Sequence, residues 1–166
     1  FNIKCKASNE TFNIDFIPKI KNVEYNEFAW WNSNWNYYRV LNLDNTQLYN
    51  GRTQNNFPVC VIINSTIGAK TDNGKSIRFV DSTNTSTYYY QFEGVFNATG
   101  NTIVWVNITT LSSGMSFNMY YNNSGASDIQ SNYTWNSSYY AVYHMNTSSD
   151  SCVYDSTINK YSGWLN

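Results

Sequence analysis

Charge is what this chain has least of. Asp, Glu, Lys and Arg make up 13% of its 166 residues, about half the usual quarter. The polar surface must therefore be built from Asn, Ser, Thr and Tyr. The net charge of −1 leaves no phosphate-neutralising excess and argues against nucleic acid as a partner. There is no basic amphipathic helix, and no apolar run approaches the ~18 residues that span a bilayer, so direct membrane insertion is not expected. Histidine occurs once, at position 144, where a general base would still need a carboxylate within reach. Gly-x-Ser-x-Gly is absent, no His/Cys cluster has zinc spacing, and no metal or cofactor is expected. The three cysteines, Cys5, Cys60 and Cys152, fit no metal motif and no Cys-x-x-Cys. Cys60 lies inside the apolar run Phe57–Ile63 and should behave as a small buried hydrophobe. Cys5 and Cys152 flank the chain ends and are the candidate disulfide of an oxidising compartment. The odd count equally allows a bond to another chain.

What is abundant is asparagine. Nine Asn-x-Ser/Thr sequons stand at Asn9, Asn64, Asn84, Asn97, Asn107, Asn122, Asn132, Asn136 and Asn146. Composition alone would give about 5.5, so the excess is modest, and it supports a secreted or surface-displayed glycoprotein. No signal peptide is visible, and a chain opening on Phe1 reads as a processed or excised piece. Aromatics reach 18%, enough to fill a core or to form ligand platforms.

The periodicity is that of strands. Tyr38–Leu43, Phe57–Ile63, Ser76–Val80, Thr87–Phe96, Thr102–Thr110, Met115–Tyr121 and Tyr139–Met145 are short and rich in β-branched and aromatic residues. Asn50-Gly51, Asn73-Gly74, Thr99-Gly100-Asn101 and Ser112-Ser113-Gly114 punctuate them as turns. Helical recurrence is lacking, apart from one short turn expected around Ser127–Ser131. The fold class is all-β, an antiparallel β-sandwich with short turns and at most one short helix. Val104, Val106 and Ile108 should face the core, with Ile103, Trp105 and a glycosylated Asn107 outward. Leu111–Gly114 should join two strands as a hairpin. Alternation at Phe1, Ile3 and Cys5 and at Phe12, Ile14 and Phe16 predicts one or two further strands near the start.

The segment Trp30-Trp31-Asn32-Ser33-Asn34-Trp35-Asn36-Tyr37-Tyr38-Arg39 carries a family resemblance. It is followed in order by Phe57-Pro58-Val59, Ser76-Ile77-Arg78-Phe79-Val80-Asp81, Thr102-Ile103-Val104-Trp105-Val106, Met119-Tyr120-Tyr121-Asn122 and Ser124-Gly125-Ala126-Ser127. Together these resemble the family numbered 2341 among domains of unknown function, found in archaeal, bacterial and some viral surface proteins. That family commonly precedes a concanavalin A-like, laminin-G-like lectin domain. Tyr140-Ala141-Val142-Tyr143-His144-Met145-Asn146 and the stretch from Asp155-Ser156-Thr157 to Gly163 resemble the opening of such a domain. The resemblance spans about 30–166 and supplies no catalytic residue. A lectin domain needs more chain than remains after Tyr139, so these strands would complete a sheet with another polypeptide or a continuation of this one.

The expected organisation is an N-terminal β extension over 1–29, a β-sandwich over 30–128, and a linker with a partial lectin-like segment over 129–166. Neither 1–28 nor 139–166 should fold alone, and at least one should pair with a neighbouring chain. Trp30, Trp31, Trp35 and Trp105 are the candidate ligand-binding residues, but for the first three a plug closing one end of the sandwich is the favoured reading, since exposed clustered Trp is an aggregation hazard. Glu24, Glu27 and Glu93 are the glutamates available for glycosidase chemistry, but Glu93 is expected as an exposed sheet residue opposite a Lys or Arg. Asp72-Asn73-Gly74 reads as a turn rather than a calcium loop. The function expected is a structural or adhesive, non-enzymatic module whose partners are other copies or fragments of the same surface assembly. The alternative is a carbohydrate-binding module on a larger surface hydrolase, with glycans as partners.

Overall fold

The computed structural model describes residues 4–7, 10–13, 31–43, 52–145 and 152–164. It is an all-β antiparallel sandwich. One layer has strand order β3-β9-β5-β6 and the other β4-β8-β7. The strands are β1 (Lys4–Ala7), β2 (Glu10–Asn13), β3 (Tyr37–Asn42), β4 (Gln54–Ile63), β5 (Ile77–Asp81), β6 (Thr87–Tyr88), β7 (Tyr90–Phe92), β8 (Thr102–Leu111), β9 (Ser116–Tyr121), β10 (Cys152–Val153) and β11 (Gly163–Trp164). β1 pairs with β2, and β10 with β11, as separate two-stranded ribbons. Ile14 and Phe16 lie outside the described residues.

The core lies between the two layers. Val59, Val61, Ile63, Tyr90, Phe92, Val104, Val106 and Ile108 meet Ile77, Phe79, Tyr88, Phe117, Met119 and Tyr121. Alternation along β8 puts Val104, Val106 and Ile108 inward as expected, each fully buried. Burial of this kind is worth about 1.5–3 kcal/mol per large apolar side chain. Tyr90, deep in this layer, donates its hydroxyl to the Ile77 carbonyl at 3.2 Å. Burial pushes its pKa up to about 12, while Arg78 pulls the other way.

Three expectations about strand connection are corrected. β8 and β9 are not a hairpin, because they belong to opposite layers. Both have an apolar inward face, and Leu111–Gly114 carries the chain across the core rather than back along one sheet. The expected strand over Thr87–Phe96 divides at Tyr89. β6 pairs with β5 in one layer and β7 with β8 in the other. Tyr88 and Tyr90 stay inside on both sides of that crossing and Tyr89 is left exposed, the behaviour of a strand that switches sheets at a sandwich corner. Tyr139–Met145 is not a strand: Tyr143 makes only an isolated bridge with Asp155.

Helix is scarce, and one turn of it was not foreseen. Asn64 caps α1 (Ser65–Gly68), its Oδ1 accepting from the Ile67 N–H at 3.1 Å. At four residues, α1 is too short for apolar periodicity to reveal it. The turn expected at Ser127–Ser131 forms slightly later, as a 3-10 turn over Asn132–Thr134 capped by the Ser131 hydroxyl. Cys152 is buried in β10 and carries a free thiol, while the Cys5 side chain lies outside the described residues.

Asp72, Asn73 and Gly74 form the turn expected of them, with φ of 48°, 53° and 87°. A Cβ on Gly74 would meet Phe92 and Phe96 ring carbons at 2.7 Å, whereas one on Gly114, at φ 72°, would meet nothing within 4 Å. Gly74→Ala should therefore destabilise by about 2–4 kcal/mol, from overpacking added to backbone strain. Gly114→Ala should cost about 1 kcal/mol from strain alone. Urea denaturation of the two variants checks the difference.

Candidate functional site

The outer face of the β4-β8-β7 layer is where the sequence places its aromatic and amide side chains. Alternation turns Trp105, Asn107 and Thr109 of β8 outward, next to Gln91 of β7 and the flanking Tyr89. This face is only partly open to water, because the chain after β9 returns over it. The Ser131 N–H donates to the Tyr90 carbonyl at 2.9 Å, and the Phe92 N–H donates to Gln130 Oε1 at 2.8 Å. These two bonds occupy the outer edge of β7, the usual remedy for an edge strand. Residues 129–136, expected as linker, are therefore bound to the sandwich.

Trp135 is the anchor of this return. Its Nε1 donates to Gln91 Oε1 at 2.6 Å, and its ring packs on Trp105 at 5.6 Å and against Tyr139 at 5.6 Å. Trp105 does lie on the outer face, as the alternation required, but half-buried beneath Trp135. Its Nε1 donates to Glu93 Oε2 at 2.8 Å. The expectation of Glu93 as an exposed residue facing a cation is corrected: its recorded partner is an indole. His144 sits 5.8 Å from the Trp135 ring, with Nε2 at 3.5 Å from Gln91 Oε1. Burial lowers the His144 pKa below its ordinary value, and the Glu93 carboxylate partly opposes that.

Asp155 fastens the segment further on. Its carboxylate accepts from the Val142, Thr157 and Tyr161 N–H groups and from the Thr157 hydroxyl. Burial alone would raise its pKa, but these four bonds outweigh it and bring it down to about 2. Among the described residues, no three of His, Cys, Asp and Glu converge as metal ligands would.

Asn107 overturns the expectation placed on its sequon. It is 6% exposed, and its Nδ2, the atom a glycan would modify, donates to the Tyr133 carbonyl at 3.0 Å. Its Oδ1 has no hydrogen-bond partner among the described residues, which costs about 1–3 kcal/mol. Turning the amide over would set Oδ1 against the Tyr133 carbonyl oxygen, so the chemistry fixes its orientation. Asn64 and Asn97 are exposed, Asn84, Asn122, Asn132 and Asn136 are half-buried, and Asn9 and Asn146 lie outside the described residues. Asn107 also lines a groove of about 390 Å3 that includes Tyr89, Thr109, Tyr133 and Asn136. Sequence reasoning passed over Tyr89 and Tyr133; the triplet Tyr88-Tyr89-Tyr90 was the one local signal, since alternation cannot bury all three.

The tryptophans proposed as a platform are placed otherwise. Trp35 is 4% exposed and packs with Val80 and Tyr120 on the outer face of the other layer, beside Trp31. The Arg78 guanidinium stands 5.1 Å over the Trp35 ring. Of the two readings weighed for this cluster, Trp35 takes the packing one: it closes its layer and presents no open ligand face. Trp31 is half-buried and 5.9 Å from Trp35, and Trp30 lies outside the described residues.

Residues 73–152 match the family model DUF2341, a domain of unknown function. The DUF2341 match is narrower than the span of the sequence resemblance, and leaves out Trp30, Trp31, Trp35, β3 and β4. It contains the β6–β7 and β8–β9 crossings, the Trp135 anchor and most of the groove. No curated protein and no solved structure matches the chain.

Two outcomes follow from this geometry. Peptide mass spectrometry of the protein expressed through a glycosylating secretory host should find Asn107 bare, with glycan at Asn64 or Asn97. On acidification, the docked C-terminal segment should weaken in two stages. His144 has a folded pKa below its unfolded one, so its protonation costs stability as pH falls below about 6.5. Asp155 has a depressed folded pKa, so its contribution is full above about 3.8 and is lost as pH falls through about 2. Histidine ring NMR shifts and limited proteolysis against pH read the two stages.

Proposed function

We propose that this chain is a structural or adhesive module of a secreted cell-surface, filament or virion-surface glycoprotein, acting by protein–protein assembly and without catalysis of its own. The observation that carries this reading is the apolar surface around β10 and β11. Trp164 is 77% exposed, Tyr140 75% and Met145 71%. Tyr140 stacks on Tyr161 with ring centroids 4.8 Å apart, so two rings are presented together. Exposed apolar surface of this kind favours a protein partner, and a two-stranded ribbon is marginal until something packs on it. Such a partner is another copy or fragment of the same surface assembly.

The 166-residue chain should associate with rising concentration in sedimentation velocity. Trp164→Ser and Tyr140→Ser should each weaken that association about tenfold or more, the usual scale for an aromatic anchor. Wild-type chain that stays monomeric throughout, or association that both substitutions leave unchanged, refutes the reading.

A second reading, a carbohydrate-binding module of a larger surface protein, is favoured by a different feature, the groove between Tyr89 and Tyr133. The lectin-like character of residues 140–163 belongs to this second reading.

A further inference from the structure

The groove beside Tyr89 and Tyr133 has chemistry that packing does not use. The two rings are 56% and 59% exposed, with centroids 5.5 Å apart and planes at 40°. They stand at its rim, on the sheet-crossing corner and on the returning segment. Asn136 closes one end, its Nδ2 donating to the Asn56 carbonyl at 2.7 Å. Asn56 presents that carbonyl from a left-handed conformation, φ 51°. Among the described residues, the lining holds no charged side chain. Asn107, nine-tenths buried, belongs to the same lining.

We propose that this groove is a binding site for a neutral carbohydrate, with Tyr89 and Tyr133 as the ring-stacking pair. Each part of the ligand answers one feature of the groove. A pyranose has an apolar face of C–H groups that packs on aromatic rings. It also has hydroxyls, which a lipid chain or an apolar side chain lacks. Side-chain amides and hydroxyls in the lining suit a ligand that donates and accepts around its whole rim. Without a lysine or arginine, the groove offers nothing to phosphate, sulfate or a uronic acid. The volume of about 390 Å3 lies within the range of small-ligand sites. The proposal rests on the carbohydrate-binding reading and is independent of the apolar surface at β10 and β11.

The test is isothermal titration calorimetry of the full 166-residue chain with cellohexaose, xylohexaose, mannohexaose and N-acetylchitohexaose. At least one should bind saturably. Tyr89→Ala and Tyr133→Ala, both at exposed positions that leave the core intact, should each weaken that binding about tenfold or more, as loss of a stacking ring does. Tyr37→Ala, on the opposite layer, should leave it unchanged. If none of the four sugars binds, the carbohydrate-binding reading and this site fall together. If one binds but both tyrosine variants bind it as tightly as wild type, the site is wrong while that reading stands.

Discussion

The hydrogen bond from the Trp135 indole to Gln91 Oε1 holds the outer half of this protein together. Gln91 and Trp105 project from the outer face of a three-stranded sheet, where an amide and a bare indole would otherwise meet water. Trp135 covers both, and in doing so fixes the path of the chain after β9. Ser131 then reaches the free edge of β7, Asn107 finds the Tyr133 carbonyl, and His144 comes to rest against the Trp135 ring. The groove exists only because this return gives it a second wall. Withdrawing the one indole would strand Gln91, reopen the β7 edge and separate Tyr133 from Tyr89.

The other layer is closed by a related device built from the opposite side of the sequence. Trp35 and Trp31 lie over Val80 and Tyr120. Arg78, which a more charged protein would pair with a carboxylate, bonds instead to the carbonyls of Lys75, Ile77 and Ser127. Asn84 adds its Oδ1 as a shared acceptor for Asn118 Nδ2 and the Tyr120 hydroxyl. Here the scarcity of charge becomes structural. Polar groups on the covered faces are satisfied by carbonyls and amides, whose hydrogen bonds depend on alignment, and even the buried Arg78 charge is held by carbonyl dipoles.

The DUF2341 match encloses these long-range connections: the Tyr88–Tyr90 crossing, the β8–β9 crossing and the Trp135 anchor. What it encloses is therefore an architecture, and function must be argued from the surfaces that architecture leaves open. Two such surfaces differ in kind. One is apolar and aromatic around β10 and β11. The other is a groove of aromatic rings, amides and hydroxyls around Asn107.

The sequence by itself determined most strands of the sandwich, their inward faces and the fold class. Val104, Val106 and Ile108, and likewise Phe117, Met119 and Tyr121, declare a buried side through a two-residue period that every strand carries locally. That period does not say which sheet a strand joins, so β8 and β9 resembled a hairpin although they face each other across the core. Nor does it say what covers the far side. Asn107 looked like a surface sequon because its triplet is local, but its burial is decided by a carbonyl twenty-six positions later. Glu93 was misplaced for a related reason: its partner, the Trp105 indole, comes from the neighbouring strand. Only tertiary structure, where outer faces are covered and sheet membership is settled, brings such partners together.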